Sequence, residues 1–90
     1  MQINGKIGDI ENTVIVSDKF CRRDFILYPS NNENDEFLKF EFHQNRCSLL
    51  DNFVKGDNVT VFFNILCNKW TNDGNSKYYT TLKAWKIEKL

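Results

Sequence analysis

Apolar and polar residues alternate most regularly between Glu36 and His43. One parity of this segment is apolar and the other is mixed, since Leu38, Phe40 and Phe42 alternate with Phe37, Lys39, Glu41 and His43. Successive side chains of a strand point to opposite faces of a sheet. The pattern therefore predicts a half-buried strand with its apolar parity in a core.

Four further strands are predicted from runs of β-branched and aromatic residues, over Gln2–Ile10, Phe20–Tyr28, Asn58–Lys69 and Tyr78–Glu88. Gly5 and Gly8 predict a bulge or a sharp bend in the first of them. The run Val14–Val16 continues or follows that strand. Residues 29–35 and 72–76 are rich in turn formers and are predicted as loops.

A short helix is predicted within Arg46–Asp57, between the third and fourth strands. The apolar residues that share one helical face are Leu49, Leu50 and Phe53. Lys55 lies in the expected last turn, and Gly56 is predicted as its left-handed C-cap.

The predicted order is β-β-β-α-β-β, which is typical of an all-β OB-fold: a five-stranded Greek-key barrel with a helix between strands three and four. An SH3-like barrel is the alternative, but it usually lacks a helix at that place. Ninety residues are enough for one domain, so the prediction is a single OB-fold domain over residues 1–90.

The composition excludes a disordered chain, because 41% of the residues are hydrophobic and 14% are aromatic. Twelve basic and twelve acidic residues give no net charge, which argues against a partner held by charge alone. The C-terminal half is nevertheless basic: residues 46–90 hold seven Lys or Arg and four Asp or Glu. A modest basic face on the last strands is therefore expected.

Catalytic and cofactor-binding patterns are not found in the sequence. It has one histidine, no phosphate-binding glycine motif and no paired metal-ligand spacing. The three cysteines, Cys21, Cys47 and Cys67, are expected to be buried or half-buried free thiols in a reducing compartment. We expect no enzyme activity, no cofactor, no metal site and no membrane segment.

Aromatic and basic side chains are interleaved on the outward parities of the predicted strands. Trp70 shares its parity with Asn64 and Asn68, and Tyr79 shares its parity with Lys83 and Trp85. Rings beside cations on a sheet suit a single strand of nucleic acid, whose bases stack while the cations follow the phosphates. Because Trp85 and Ile87 have the same predicted outward parity, this face is alternatively a subunit contact.

The segment Lys69–Gly74, followed by Tyr79–Thr81, resembles the strand–hairpin–strand signature of bacterial single-stranded DNA-binding proteins. The upstream segment from Leu49 to Val59 also resembles the helix, Lys-Gly turn and fourth strand of that family. A resemblance over the whole chain is to a family of short, uncharacterised OB-type bacterial and phage proteins. It is carried by Met1, Ile3, Gly5–Ile7, Phe40-Glu41, Leu49–Phe53, Gly56-Asp57, Val59–Val61, Phe63-Asn64 and Tyr79–Glu88.

The resemblance to the DNA-binding family implies that bases stack on Trp70. Two further stacking aromatics lie six residues apart on that family's third strand. An ungapped alignment places them at Glu36 and Phe42, and a one-residue slip, which we prefer, places them at Phe37 and His43. Tyr28 is the nearest candidate for a ring from the preceding loop. That family ends in an acidic tail that recruits partners, and the residues Lys86–Leu90 do not resemble it.

The sequence thus predicts a protein that binds single-stranded DNA without sequence preference in replication, recombination or repair. RNA binding and protein interaction are the alternatives. The expected assembly is a dimer or tetramer, and the expected location is the cytoplasm of a bacterial cell or a phage-infected host. The predicted nucleic-acid contacts are Trp70, Phe37, His43, Tyr79, Tyr28, Lys39, Lys69, Lys77, Lys83 and Arg22, and the predicted subunit contacts are Trp85 and Ile87.

Overall fold

Six strands and one short helix make up the computed structural model, which describes residues 1–31 and 36–90. The strands are β1 Gln2–Ile10, β2 Val14–Ser17, β3 Phe20–Pro29, β4 Leu38–His43, β5 Asn58–Asn72 and β6 Asn75–Lys89. A 3₁₀ helix, Gln44–Asn52, connects β4 to β5. Residues 32–35 of the loop predicted over 29–35 lie outside the described residues.

Five of the strands close into a ring in the order β1-β5-β6-β4-β3, with β3 pairing back onto β1. All of these pairs are antiparallel except that of β4 with β6, which are parallel and bridge at Glu41 and Lys83. The ring and its connecting helix confirm the predicted OB-fold barrel.

The core fills the inside of this ring. Phe25 lies between Phe40 and Phe42, with ring centroids 5.5 and 5.6 Å apart. The inward parity predicted for β4 is confirmed, because both of its phenylalanines are fully buried. The remaining buried apolar residues are Ile7, Leu27, Cys47, Leu50, Val59, Val61, Phe63, Ala84 and Ile87.

The Val14–Val16 run, whose place the sequence left open, forms a separate edge strand. Strand β2 pairs with β3 through Val14–Arg22 and Ile15–Cys21, and it lies outside the closed ring. All four of its residues are exposed, and Ile15 is 80% exposed. Among the residues that the structure describes, the barrel therefore carries an apolar strand with one unpaired edge.

The predicted helix is confirmed in place, but its type and its buried face differ from the prediction. Leu49 is exposed, whereas Cys47 and Leu50 are buried and Phe53 packs against the core. A 3₁₀ helix has three residues per turn, so residues at i, i+3 and i+6 line one side.

Gly56 has the predicted positive φ of 98°, but it does not cap the helix, which ends at Asn52. It lies in a separate turn, in which the backbone N–H of Asp57 donates to the carbonyl oxygen of Val54 at 3.1 Å. The Asp57 carboxylate in turn accepts a bond from the Val54 N–H at 3.0 Å.

A β-bulge at Trp85 corrects the predicted parity of β6. Phe62 pairs with Lys86 and Phe63 pairs with Ala84, so Trp85 has no partner on β5. One extra residue reverses the in–out alternation. Ala84 and Ile87 are consequently both buried, and the prediction that Ile87 faces outward beside Trp85 is wrong.

Beyond the barrel, β5 and β6 continue as a two-stranded hairpin whose residues from Asn64 to Thr80 are all exposed. Asp73 and Gly74 form its two-residue turn with φ of 50° and 80°, the combination that twists a hairpin to match its strands. The loop predicted over residues 72–76 is therefore this tight turn.

Candidate nucleic-acid interface

Trp70 and Tyr79 lie on the same side of the β5–β6 hairpin. Residues that pair directly across antiparallel strands share a face, and four such pairs define what we call the front face: Asn64–Lys83, Leu66–Thr81, Asn68–Tyr79 and Trp70–Lys77. Both aromatic side chains are about half exposed, at 51% and 53%. Two rings and the two cations Lys77 and Lys83 therefore alternate along one open surface.

Lys69 is not part of this face. It pairs with Tyr78 on the opposite side of the hairpin, and its Nζ lies 5.9 Å from the centroid of the Tyr78 ring. Adjacent residues of a strand point to opposite faces, so sequence neighbourhood to Trp70 does not bring Lys69 beside it. The structure separates this predicted phosphate contact from the other candidates.

The outer face of β3 and β4 carries most of the other predicted residues. Its directly opposed pairs are Arg22–His43, Asp24–Glu41 and Ile26–Lys39. At the far end the exposed rings of Tyr28 and Phe37 meet edge to face, with centroids 6.2 Å apart.

These two surfaces meet in a groove of about 530 Å³. Arg22, Lys39 and Glu41 line one side of it, and residues 79–82 line the other. The parallel bridge between Glu41 and Lys83 sets this arrangement, because stepping back along both strands from the bridge leads to Lys39 and to Tyr79. The structure thus brings Tyr79 together with two of the predicted cations.

His43 offers little free surface. Its side chain is 15% exposed, its ring meets Phe20 edge to face at 4.9 Å, and its Nε2 lies 3.2 Å from an Oε of Glu41. The imidazole is therefore engaged by its neighbours and is poorly placed as a stacking platform. Its contact holds the Glu41 carboxylate at the wall of the groove.

Carboxylates interrupt the positive charge of the groove. Asp24 and Glu41 oppose each other between Arg22 and Lys39. One oxygen of Asp24 is buried and has no hydrogen-bond partner among the described residues. Phosphates are consequently expected to contact Arg22 and Lys39, which lie on either side of the two carboxylates, and the lysines of the hairpin front face.

Arg46 was missed by the sequence reasoning. It lies on the 3₁₀ helix and lines a second cavity, of about 350 Å³, together with Asn64, Lys83 and Trp85. No local pattern could have indicated it, because the helix and β6 are brought together only by closure of the barrel.

The three cysteines are free thiols. The Sγ atoms of Cys21 and Cys47 lie 3.9 Å apart. Burial, and then the contact with the Cys21 thiol, raises the pKa of Cys47 to about 11. Cys67 lies exposed on the hairpin, which corrects the expectation that all three are at least half buried.

Neither a cluster of metal-ligating side chains nor a helix that could span a membrane is found within residues 1–31 and 36–90. No group of three or more His, Cys, Asp or Glu side chains is placed to hold an ion there. Over the same ranges, no helix has the length and hydropathy needed to span a bilayer.

The sequence of residues 2–88 matches the family described as Domain of unknown function (DUF3127). No curated protein matches the sequence significantly.

Several solved structures of single-stranded DNA-binding proteins share this fold. A deletion mutant of the Thermus aquaticus protein has a TM-score of 0.73 at 15% identity; the match covers 99% of this chain, which spans only 48% of that protein. Rim1, the mitochondrial protein of S. cerevisiae, has a TM-score of 0.64 at 16% identity, and 100% of this chain and 92% of Rim1 are covered. The Plasmodium falciparum protein, solved in complex with single-stranded DNA, has a TM-score of 0.63 at 18% identity over 100% of this chain and 92% of its own. These likenesses establish the OB-fold.

Proposed function

The chain belongs to the family described as Domain of unknown function (DUF3127), and we propose that it binds single-stranded DNA without sequence preference. The binding surface is the front face of the hairpin together with the groove beside it. The observation that carries the proposal is that Trp70 and Tyr79 lie half exposed on one face with Lys77 and Lys83.

The physical argument is that each part of a single strand finds a matching group on this surface. Every base has a π-face, and stacking on an aromatic side chain stabilises binding by ~1–3 kcal/mol per base whatever the sequence. The phosphates that alternate with the bases attract the cations Arg22, Lys39, Lys77 and Lys83. Tyr28 and Phe37 supply a second pair of rings beyond the groove.

The fold adds support by analogy. The three solved proteins compared above are single-stranded DNA-binding proteins, and one of them is a complex with single-stranded DNA. We extend the proposal to a role in replication, recombination or repair in the cytoplasm of a bacterial cell or a phage-infected host. The free thiols are consistent with a reducing compartment.

We also propose self-association into a dimer or tetramer. The edge of β2 supports it, because an apolar strand with an unpaired edge is a ready template for another strand. Of the two predicted subunit contacts, Ile87 is buried in the core, so the aromatic-face interface is left with Trp85 alone. Light scattering measures the oligomeric state.

Replacing Trp70 by Ala tests the function, with Tyr78→Ala as the matched control. Both residues are exposed aromatics on the same hairpin, but Tyr78 lies on the opposite face. We expect Trp70→Ala to weaken binding of labelled oligo-dT by ~1–3 kcal/mol and Tyr78→Ala to leave it close to wild type. Fluorescence anisotropy gives both affinities, and circular dichroism checks the fold.

Competition with poly-U and duplex DNA completes this experiment. Duplex DNA should compete poorly, because its bases are stacked on each other and cannot reach the rings. Equal loss of affinity in both variants, or tighter binding of duplex than of oligo-dT, would contradict the proposal. Tighter binding of poly-U than of oligo-dT would show that the preferred ligand is single-stranded RNA.

A further inference from the structure

We propose that Trp85, Arg46 and Lys83 form a second nucleotide-binding station, at which a base stacks on the indole and a phosphate lies between the two cations. This inference rests on the proposed function and deepens it, because it assigns to nucleic acid a residue that the sequence placed in a subunit contact. It also extends the path of the strand from the hairpin onto the barrel.

Trp85 lies on the outward side of β6, directly after the buried Ala84, and the bulge leaves it without a partner on β5. The Trp85 side chain is 40% exposed. The Phe62 ring supports the indole at a centroid distance of 5.5 Å and an angle of 49°. The indole also lines the cavity of about 350 Å³ that it shares with Arg46, Asn64 and Lys83.

The lining of this cavity is cationic. Among the residues that the structure describes, neither Arg46 nor Lys83 takes part in an ion pair. Glu41, which bridges to Lys83 across the parallel strands, has its carboxylate engaged by His43 at 3.2 Å. Two positive side chains therefore face the cavity without a carboxylate bound to either of them.

A ring, two cations and an amide in one open cavity match the parts of a nucleotide. The indole offers the largest stacking surface of any side chain. The guanidinium binds a phosphate through two parallel N–H donors, and the ammonium adds a point charge. The Asn64 amide can both donate to and accept from a base edge.

The two stations lie on one continuous surface. Lys83 belongs to the front face and also lines the second cavity. From Lys77, the partner of Trp70, to Trp85 is eight steps along β6, or ~27 Å at the rise of a strand. At a stacked spacing of ~3.4 Å per nucleotide this distance is ~8 nucleotides, within the ~4–16 nucleotides that one OB-fold occupies.

Single-tryptophan variants test the station directly, because the chain has only two tryptophans. Trp70→Phe leaves Trp85 as the sole indole while keeping an aromatic ring at position 70. We expect the emission of this variant to be quenched on saturation with an oligo-dT of ~15 nucleotides, and its quenching by iodide to fall. Anisotropy of the labelled oligonucleotide, measured on the same samples, reports whether it is bound.

Affinity measurements with substituted proteins give a second readout. Trp85→Leu and Arg46→Gln should each weaken binding of that oligonucleotide by about tenfold, within the range for loss of one stacked base or one charged contact. Lys86→Gln is the control, because Lys86 adjoins Trp85 in sequence while its Nζ is held 2.9 Å from a Glu88 carboxylate oxygen. It should bind as the wild type does.

The outcomes separate this inference from the function on which it rests. If the oligonucleotide binds but the Trp85 emission, the Trp85→Leu affinity and the Arg46→Gln affinity are unchanged, the second station is refuted and the proposed function stands. If wild type does not bind oligo-dT even at low salt, both are refuted. If Trp85→Leu no longer forms the oligomer but binds DNA with unchanged affinity, the second station is refuted and Trp85 is a subunit contact instead.

Discussion

Replacing Lys83 by Gln should reduce the salt dependence of oligo-dT binding by one phosphate contact. Arg22, Lys39, Lys77 and Lys83 lie on the groove and the front face, and none of them takes part in an ion pair within residues 1–31 and 36–90. Each phosphate neutralised on a single strand contributes ~0.7 to the slope of log affinity against log salt. These four contacts therefore contribute about −3 to the slope, and Arg46 of the second station would add a further ~0.7.

The four contacts alone lower the affinity of the wild type about fifty-fold between ~50 and ~200 mM salt. For Lys83→Gln the expected slope is shallower than that of the wild type by ~0.7, because one contact is lost. The assay is fluorescence anisotropy with oligo-dT at four or more salt concentrations, with the slope fitted for each protein. The change in slope is more informative than the affinity at one salt concentration, since it counts contacts.

Lys55→Gln is the matched control, because it removes the same charge from another part of the barrel. The Nζ of Lys55 is 3.2 Å from a carboxylate oxygen of Asp9 on β1, the strand farthest around the ring from β4 and β6. Its slope should equal that of the wild type. A wild-type slope near zero, or equal slopes for Lys83→Gln and Lys55→Gln, would refute the assignment of these cations to phosphates.

Two further predictions concern stability. The pKa of Cys47 is raised from 9.0 to about 11 in the folded protein, so the unfolded chain loses this proton first and stability should fall as pH rises from 9 towards 11. In urea unfolding, the free energy of unfolding should fall by about 1 kcal/mol between pH 8 and pH 10 in the wild type, and this fall should be missing from Cys47→Ala. Parallel pH profiles for the two proteins would contradict the assignment of this pH dependence to Cys47. Gly5→Ala should lower the free energy of unfolding by about 1–3 kcal/mol, because its Cβ would lie 2.5 Å from the carbonyl oxygen of Tyr28. An unchanged urea midpoint would show that the β1–β3 contact is looser than described.

The fold could be predicted because its main determinant is local. Alternation over Leu38–His43 placed Phe40 and Phe42 in the core, and the order of the elements indicated an OB-fold barrel. The edge strand β2 was harder to predict, because its residues are exposed on both faces and show no alternation. The face of the helix was predicted wrongly because a repeat of 3.6 residues was assumed where the structure has three.

The residues of the candidate site could be predicted only where a strand alternates regularly between its two faces. Tyr79 and Lys83 could be assigned to one face, and the structure places them there. The prediction was wrong for Ile87 because a bulge depends on the partner strand, and the sequence of β6 alone does not indicate one. Arg46 and the contact between Cys21 and Cys47 depend on closure of the barrel, so no pattern along the chain could have indicated them.

At the bulge, Trp85 is one extra residue of β6 relative to β5. Since Phe62 pairs with Lys86 and Phe63 with Ala84, removing residue 85 alone would leave each of these residues opposite its present partner, in an uninterrupted ladder. A three-base deletion in the gene could therefore take the indole from the surface while Ala84 and Ile87 kept their places inside. In evolutionary terms, the Trp85 side chain could be gained or lost by a single insertion or deletion that leaves the strand pairing of the barrel unchanged.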